Sequence, residues 1–342
     1  MAVQIPTRKR TATDTGLLMA EQDIFLGVDI GGTNTKFGFV DDSGNTFDIK
    51  SFATEADRPF TKFVEKLNRK IRASLQELPD KYILRGIGIG APNANYLSGC
   101  IEEASNLSWG TVDVVSEMSK HFSVPIVITN DANAAAMGEK KFGMARDLDN
   151  FIVITLGTGL GGGIFMNGHL VHGAGGHAGE IGHAIVRPEG RQCNCGRRGC
   201  LETYVSATGI RRTVFELLSD RPTPSLLRRY SFADMSAEDV SKAAREEDEI
   251  ALLAFDRTAE ILGMKLSDFV AYSNPQLIIL TGGLTNAGDL LLKPVRRYME
   301  KHLLKIYRGK TEIVISKLRE KNLAVLGASA LVMEKVLTQE IK

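Results

Sequence analysis

Residues 24–40 read IFLGVDIGGTNTKFGFV and residues 151–166 read FIVITLGTGLGGGIFM. Each stretch is a short apolar run, a glycine-rich turn and a second apolar run. Near-continuous apolar runs of this length predict buried strands, and the glycine turns reverse the chain between them. The first hairpin spans a strand over 24–30, a turn at Gly31-Gly32-Thr33-Asn34 and a return strand over 36–40. A second turn at 41–45 and a third strand over 46–52 complete an opening meander. The second hairpin has its strand at 151–156, its glycine turn at 157–163 and its return at 164–166. Two such hairpins, one near the start of each half, predict a duplicated α/β domain with a cleft between the copies.

Outward from the hairpins, Phe63, Leu67, Ile71 and Leu75 recur four apart and predict a helix over 61–78. A strand follows at 85–90, ending at Ala91-Pro92-Asn93, then a helix over 112–122 and a strand over 125–129. Asn130-Asp131-Ala132-Asn133 opens the next helix. Residues 206–273 read as helical, with Ser236 to Asp239 as a capping start. Asn274-Pro275 ends that region. A strand over 277–281 runs into Gly282-Gly283, a last strand lies near 312–316, and a last helix covers 323–336. This divides the chain into a basic mobile arm (1–22), a first α/β lobe (23–150) completed by the C-terminal helix (322–342), and a second lobe (151–321).

Three of the four cysteines fall in 179–202, GEIGHAIVRPEGRQCNCGRRGCLE. His183, Cys193, Cys195 and Cys200 form a donor set suited to a closed, structural Cys3His zinc site. The loop is polar and glycine-rich and has little apolar surface to bury thiols. Glu180 and Glu202 flank it, and the ion's role would be to fix their geometry.

The composition is that of a globular protein, with 43% hydrophobic and 24% charged residues and a formal net charge of +1. That balance argues against a nucleic-acid or membrane-surface protein. Few cysteines, clustered, fit a reducing, cytoplasmic setting. No apolar run is long enough to span a bilayer, and the N-terminus lacks the pattern of a signal peptide.

The glycine turns are candidate phosphate cradles, because glycine lets backbone N–H groups approach phosphate oxygens. Thr33 can add a donor, and Asp29 can hold a water of Mg²⁺. No Walker sequence occurs. Gly157 to Gly162 spells GxGxxG, but a strand follows it rather than a helix, which disfavours a dinucleotide site. Asp131 sits where a strand gives way to a helix. An aspartate there is commonly a plain helix cap. In an α/β fold it also faces the site at the strand's carboxyl end, where it could accept a hydroxyl proton.

Taken in order, DIGGTNTK, NDANAAAMGE, TLGTGLGGG, GEIGH, CNCGRRGCLE and LTGGL resemble the ROK family of sugar kinases and sugar-responsive repressors, over residues 23–336. The resemblance implies the actin-like, ribonuclease-H-type ATPase fold, two lobes with a central cleft and a zinc-binding loop. It implies Asp131 as the base for a sugar hydroxyl, and Asn106, Asn130, Glu180, His183 and Glu202 as sugar contacts. Gly31, Gly32, Thr33, Thr158, Gly159, Gly282 and Gly283 fall at its nucleotide and phosphate positions, and Asp29 beside them remains the candidate for the Mg²⁺ water shell. His183 would serve both zinc and sugar. The expected activity is ATP- and Mg²⁺-dependent phosphorylation of a hexose at its 6-hydroxyl, glucose first, by a homodimer. An N-acetylhexosamine kinase or fructokinase is the alternative of the same class. A sugar-responsive repressor lacking its DNA-binding domain and an actin-like cytoskeletal ATPase are the alternatives of other classes. One departure stands out: the family often has Pro-Gly where this chain has Pro92-Asn93, and Asn is the other residue that tolerates a left-handed turn.

Overall fold

The structure is a computed structural model that describes residues 21–318 and 322–340. The basic arm expected over 1–22 lies outside the described residues except at its end, where Gln22 already belongs to the first strand.

The chain divides after Asn130, and again after Leu323, into two compact units. In the first, β1 (Gln22–Ile30), β2 (Asn34–Asp41) and β3 (Thr46–Ala53) form the expected meander. α1 (Phe60–Glu77) and β4 (Tyr82–Ala91) follow. A short ribbon of β5 (Cys100–Ile101) and β6 (Val112–Asp113) leads to α2 (Val114–Ser119) and β7 (Ile126–Asn130). The helix expected over 112–122 is thus shorter than its span, because 112–113 pair as a strand. The sheet order is β3-β2-β1-β4-β7. β1 is antiparallel to β2 and parallel to β4. α1 buries Phe63, Val64, Leu67 and Ile71, the face that its spacing predicts.

The second unit starts with α3 (Asp131–Phe142) and continues through β8 (Phe151–Leu156), β9 (Leu160–Met166) and β10 (His169–Leu170). A long irregular stretch with one 3-10 turn (Ile181–His183) leads to α4 (Glu202–Val205), α5 (Ala207–Asp220), α6 (Ala237–Arg245) and α7 (Glu249–Ser273). β11 (Leu277–Thr281), α8 (Asp289–His302) and β12 (Glu312–Ile315) finish it. Its sheet runs β10-β9-β8-β11-β12, with β8 antiparallel to β9 and parallel to β11. Strand for strand, this is the order and direction of the first sheet, so the duplication suggested by the two hairpins extends to both whole sheets. α6 opens with the capping box of Ser236 and Asp239. α7 ends at Asn274 in a left-handed conformation (φ 42°) ahead of Pro275.

Two packing contacts set the division. α9 (Leu323–Glu340) lies directly on the first sheet: a Cβ on Gly88 would stand 1.7 Å from the Ala328 carbonyl oxygen, and one on Gly27 2.0 Å from that of Val325. The C-terminal helix therefore joins the first unit. Conversely, α3 packs on β8 and β9 of the second sheet. The first unit accordingly ends at 130 rather than at the expected 150. No described helix is long and apolar enough to cross a membrane.

Candidate functional site

In the first unit, the carboxyl ends of three parallel strands lie side by side. Asp29 of β1 pairs with Gly90 of β4, and Ala91 of β4 pairs with Asn130 of β7. The turn after β1 is tied by the Gly31 N–H to the Asn34 carbonyl (3.0 Å) and by the Thr54 hydroxyl to the Gly31 carbonyl (2.7 Å). Thr54 N–H also donates to the Thr33 carbonyl. Asn106, far off in sequence, packs against Gly32, whose Cβ position would be 2.8 Å from the Asn106 carbonyl oxygen. Gly31, Gly32, Thr33 and Asn106 therefore sit together. Asn93 adopts φ 50°, the left-handed turn in which it replaces glycine, and its amide donates to the Glu102 carbonyl.

The second unit gathers the remaining candidates at the equivalent sheet end. Gly157-Thr158-Gly159 form the tight turn of the second hairpin, closed by a Gly157 N–H bond to the Gly159 carbonyl. Gly282 (φ 94°) crosses the end of β8 so closely that a Cβ would lie 2.6 Å from the Leu156 carbonyl oxygen. Gly161 to Gly163 belong to β9 rather than to that turn, and their smallness serves packing. On one side Ala132 and Ala136 of α3 press on Gly161 and Gly163. On the other, Ile181 and the Gly179 carbonyl press on Gly162. This sandwich brings Asp131, at the start of α3, and Glu180, beside the 3-10 turn, to opposite faces of one strand. Glu202 opens α4, and its Oε2 accepts the Leu160 N–H at 2.9 Å.

Three carboxylates and a histidine are thereby within electrostatic reach of one another. Asp131 keeps an open face to solvent, while protein atoms crowd its other sides. That desolvation raises its carboxyl above the ordinary range, against the hydrogen bonds of the Ala132 N–H and its own N–H, and the Glu202 charge adds to the rise. Glu180 is raised by desolvation as well, partly offset by His183, with Asp131 and Glu202 pushing it further up. Raised carboxyls in a polar cluster are the environment in which a general base works.

His183, Cys193, Cys195 and Cys200 converge, with one ligand atom from each lying within 4.8 Å of all the others. Cys193 Sγ is 3.7 Å from His183 Nδ1, and Cys195 Sγ is 3.6 Å from Cys200 Sγ. A tetrahedron with Zn–S of about 2.3 Å and Zn–N of about 2.0 Å has edges of roughly 3.5–3.8 Å, so the donor set fits Zn²⁺. With Nδ1 facing the thiols, His183 Nε2 faces Glu180 Oε2 at 3.9 Å, the carboxylate-beside-histidine arrangement that orients metal-bound imidazoles. Burial pushes the Cys193 thiol up to about 12. Desolvation acts on Cys195 too, but the backbone N–H of Arg197 and the neighbouring thiols outweigh it and bring that thiol down to about 7. A bound cation would hold all three as thiolates.

Two residues that support the site carry no local sequence signal. Arg191, within the cysteine loop, is largely but not fully buried. Its guanidinium donates to both oxygens of Glu216 (2.8 and 2.6 Å), to the Thr203 and Gly209 carbonyls and to the Thr213 hydroxyl, and it stacks on Tyr204. Glu139, fully buried, takes the Ser316 hydroxyl and the Met144 N–H, tying the end of α3 to the end of β12. Ser316 is 177 positions from its partner.

The model of the ROK family matches residues 25–335. The chain is 37% identical to the glucokinase of Halalkalibacterium halodurans over 287 residues, covering 82% of this chain and 86% of that protein. Among solved structures, a ROK family glucokinase from Streptomyces griseus in complex with glucose and AMPPNP is 32% identical, with a TM-score of 0.76 over 90% of this chain and 98% of that one. A ROK family transcriptional regulator, a homolog of the E. coli MLC protein, is 25% identical, with a TM-score of 0.83 over 92% of this chain and 78% of its own. The actin-like two-sheet architecture is common to these structures and to this chain.

Proposed function

The chain belongs to the ROK family, and from that premise we propose that it is an ATP-dependent sugar kinase that phosphorylates a hexose, glucose foremost, at its 6-hydroxyl. The observation that carries this reading is the cluster of Asp131, Glu180, His183 and Glu202 beside the glycine turn at 157–159. Carboxylates and an imidazole suit sugar hydroxyls, and backbone N–H groups of a glycine turn suit phosphate.

In this reading Asp131 accepts the proton of the 6-hydroxyl as that oxygen attacks the γ-phosphorus of ATP. The bond from phosphorus to the bridging oxygen breaks, and ADP leaves. Glu180, His183 and Glu202, with Asn130 and Asn106, hold the other hydroxyls and so fix the direction of attack. The N–H groups around Gly31 to Thr33, Thr158 to Gly159 and Gly282 to Gly283 bind phosphate oxygens. Magnesium, when bound, neutralises charge on the polyphosphate, and Asp29 is the carboxylate we assign to its water shell. Zinc on His183, Cys193, Cys195 and Cys200 is structural, because four protein ligands leave no open position. Removing the base costs about 10²–10⁴ in rate, which is the loss assigned to Asp131→Asn.

The test is a coupled ADP-release assay with ATP and Mg²⁺ against glucose, mannose, fructose, N-acetylglucosamine and N-acetylmannosamine, with Asp131→Asn as control. Preference for glucose is the expected result, and preference for an N-acetylated sugar would reassign the substrate. Asp131→Asn retaining half of the wild-type turnover would overturn the base assignment. The likeness to a transcriptional regulator supports a second reading, a sugar sensor. Sugar binding without turnover on any of the five sugars, together with sequence-specific DNA binding by the full chain, would favour it.

A further inference from the structure

The segment that follows the third cysteine holds the hairpin turn at both ends. On one side the Ala207 N–H donates to the Gly157 carbonyl at 2.8 Å. On the other, Glu202 Oε2 accepts the Leu160 N–H at 2.9 Å. The fit around the carboxylate is tight, since a Cβ on Gly159 would lie 2.4 Å from that same oxygen. A Cβ on Gly157, by contrast, would meet nothing within 4 Å. The turn is thus held by Ala207 at Gly157 and by Glu202 at Leu160, and is open on the face toward which a Gly157 Cβ would point. Glu202 Oε1 faces the cysteine loop and accepts the Cys193 thiol at 3.8 Å, a donor that is lost once that sulfur is a thiolate.

From this division of labour within one carboxylate we propose that Glu202 is a positioning residue that couples sugar binding to nucleotide binding. Oε2 fixes the turn whose N–H groups receive phosphate, and Oε1 is the oxygen offered to a sugar hydroxyl. This rests on the sugar-kinase reading for the identity of the two ligands. A hydroxyl donated to Oε1 immobilises the carboxylate, and an immobilised carboxylate holds Leu160 in place, so the turn loses less freedom when phosphate arrives. Sugar therefore raises nucleotide affinity, and by linkage nucleotide raises sugar affinity by the same factor. The metal loop contributes by seating Cys200 and hence α4, from which Glu202 projects.

The experiment measures AMPPNP affinity with Mg²⁺ by calorimetry, with and without glucose, for the wild type, Glu202→Gln and Glu202→Ala. Hydrogen exchange at the Leu160 amide is followed in the same proteins, and metal content verifies that the cysteine loop is intact. In the wild type glucose should tighten AMPPNP by about tenfold, within the usual range of such couplings. Glu202→Ala removes the acceptor, so AMPPNP without sugar should weaken by about fivefold or more, the Leu160 amide should exchange faster, and the glucose effect should vanish. Glu202→Gln keeps a carbonyl oxygen for Leu160 and should restore sugar-free AMPPNP affinity and slow exchange while sugar binding remains weak. Kinetically, at saturating glucose, Glu202→Ala should raise the KM for ATP, and Glu202→Gln should not. The proposal falls if Glu202→Ala binds AMPPNP as the wild type does and exchanges Leu160 no faster, or if the glucose effect survives in it. If glucose neither binds nor reacts, the sugar-kinase reading has failed for that substrate, and the sugar-free comparison of the three proteins still decides the link between Glu202 and the turn.

Discussion

Gly163→Ala tests how tightly the seating of α3 controls the chemistry. A methyl on Gly163 would stand 2.6 Å from the Ala136 Cβ and 2.7 Å from the Ala132 carbonyl oxygen. Carbon atoms in contact sit about 3.5–4.0 Å apart, so α3 must lift from β9 by roughly 1 Å. Asp131 is the first residue of that helix, immediately before Ala132. A displacement of about 1 Å at a catalytic group costs roughly 10²-fold in rate, while overpacking of this size costs about 1–3 kcal/mol in stability. The expected result is a folded protein with kcat down about 10²-fold and the KM for ATP little changed, measured by ADP release alongside urea unfolding. The double variant Gly163→Ala with Ala136→Gly removes the Cβ–Cβ clash but keeps the clash with the Ala132 carbonyl, so it should recover part of the loss. Gly163→Ala that unfolds at lower urea yet turns over within about twofold of the wild type would refute the coupling of helix seating to catalysis.

Other expectations follow from the same geometry. Because desolvation raises the Asp131 carboxyl, the acid limb of kcat/KM should lie above the ordinary aspartate value of 3.8, as a protonated base cannot accept a proton. The same shift has a stability consequence of definite sign. A raised carboxyl binds its proton more tightly folded than unfolded, so stability is lost as pH rises from 3.8 through the folded value, and Asp131→Asn should gain on the wild type across that window in unfolding experiments. Cys200→Ser should lower metal content from about one zinc per chain and leave Cys193 and Cys195 open to a thiol reagent, whereas wild type retaining neither metal nor thiol protection would contradict the zinc assignment. Arg191→Ala removes the donor to the Thr203 carbonyl, while the Gly209 carbonyl keeps the Thr213 hydroxyl, and should destabilise by roughly 1–3 kcal/mol. Arg191→Lys should recover only part of this, because an ammonium cannot span both oxygens of Glu216.

Much of this was legible along the chain because it is written in local terms. Apolar runs of strand length bounded by glycine or proline mark β1, β2, β4, β7, β8 and β11, since a buried strand needs both faces apolar and a turn needs a residue without steric penalty. The recurrence of strand–glycine–strand was enough to suggest a duplication. Three cysteines and a histidine at ligand spacing were enough to suggest a metal loop, because a closed site can be built by one segment wrapping one ion. Asn93 could be read as a turn former from residue type and Asn274-Pro275 as a helix end, and both asparagines have positive φ.

What the chain order could not supply is anything that depends on two segments meeting. The glycines of β9 look like more of a phosphate turn until α3 and Ile181 are seen pressed on either side of them. Gly27 and Gly88 look like ordinary strand residues until a helix some 240–300 positions later lands on them. The boundary at 130, the buried pair of Glu139 with Ser316, and the grip of Arg191 within the cysteine loop are all contacts across sequence distance. The same holds for Glu202. Its residue type and its place after the last cysteine mark it as a site carboxylate, but only the folded chain shows that one of its oxygens is already engaged by Leu160. Periodicity and turn chemistry act over a few residues, so sequence alone reveals them. Which surfaces come into contact is decided by the packing of the whole core, and the bond from the Leu160 N–H to one oxygen of Glu202 is a product of that packing.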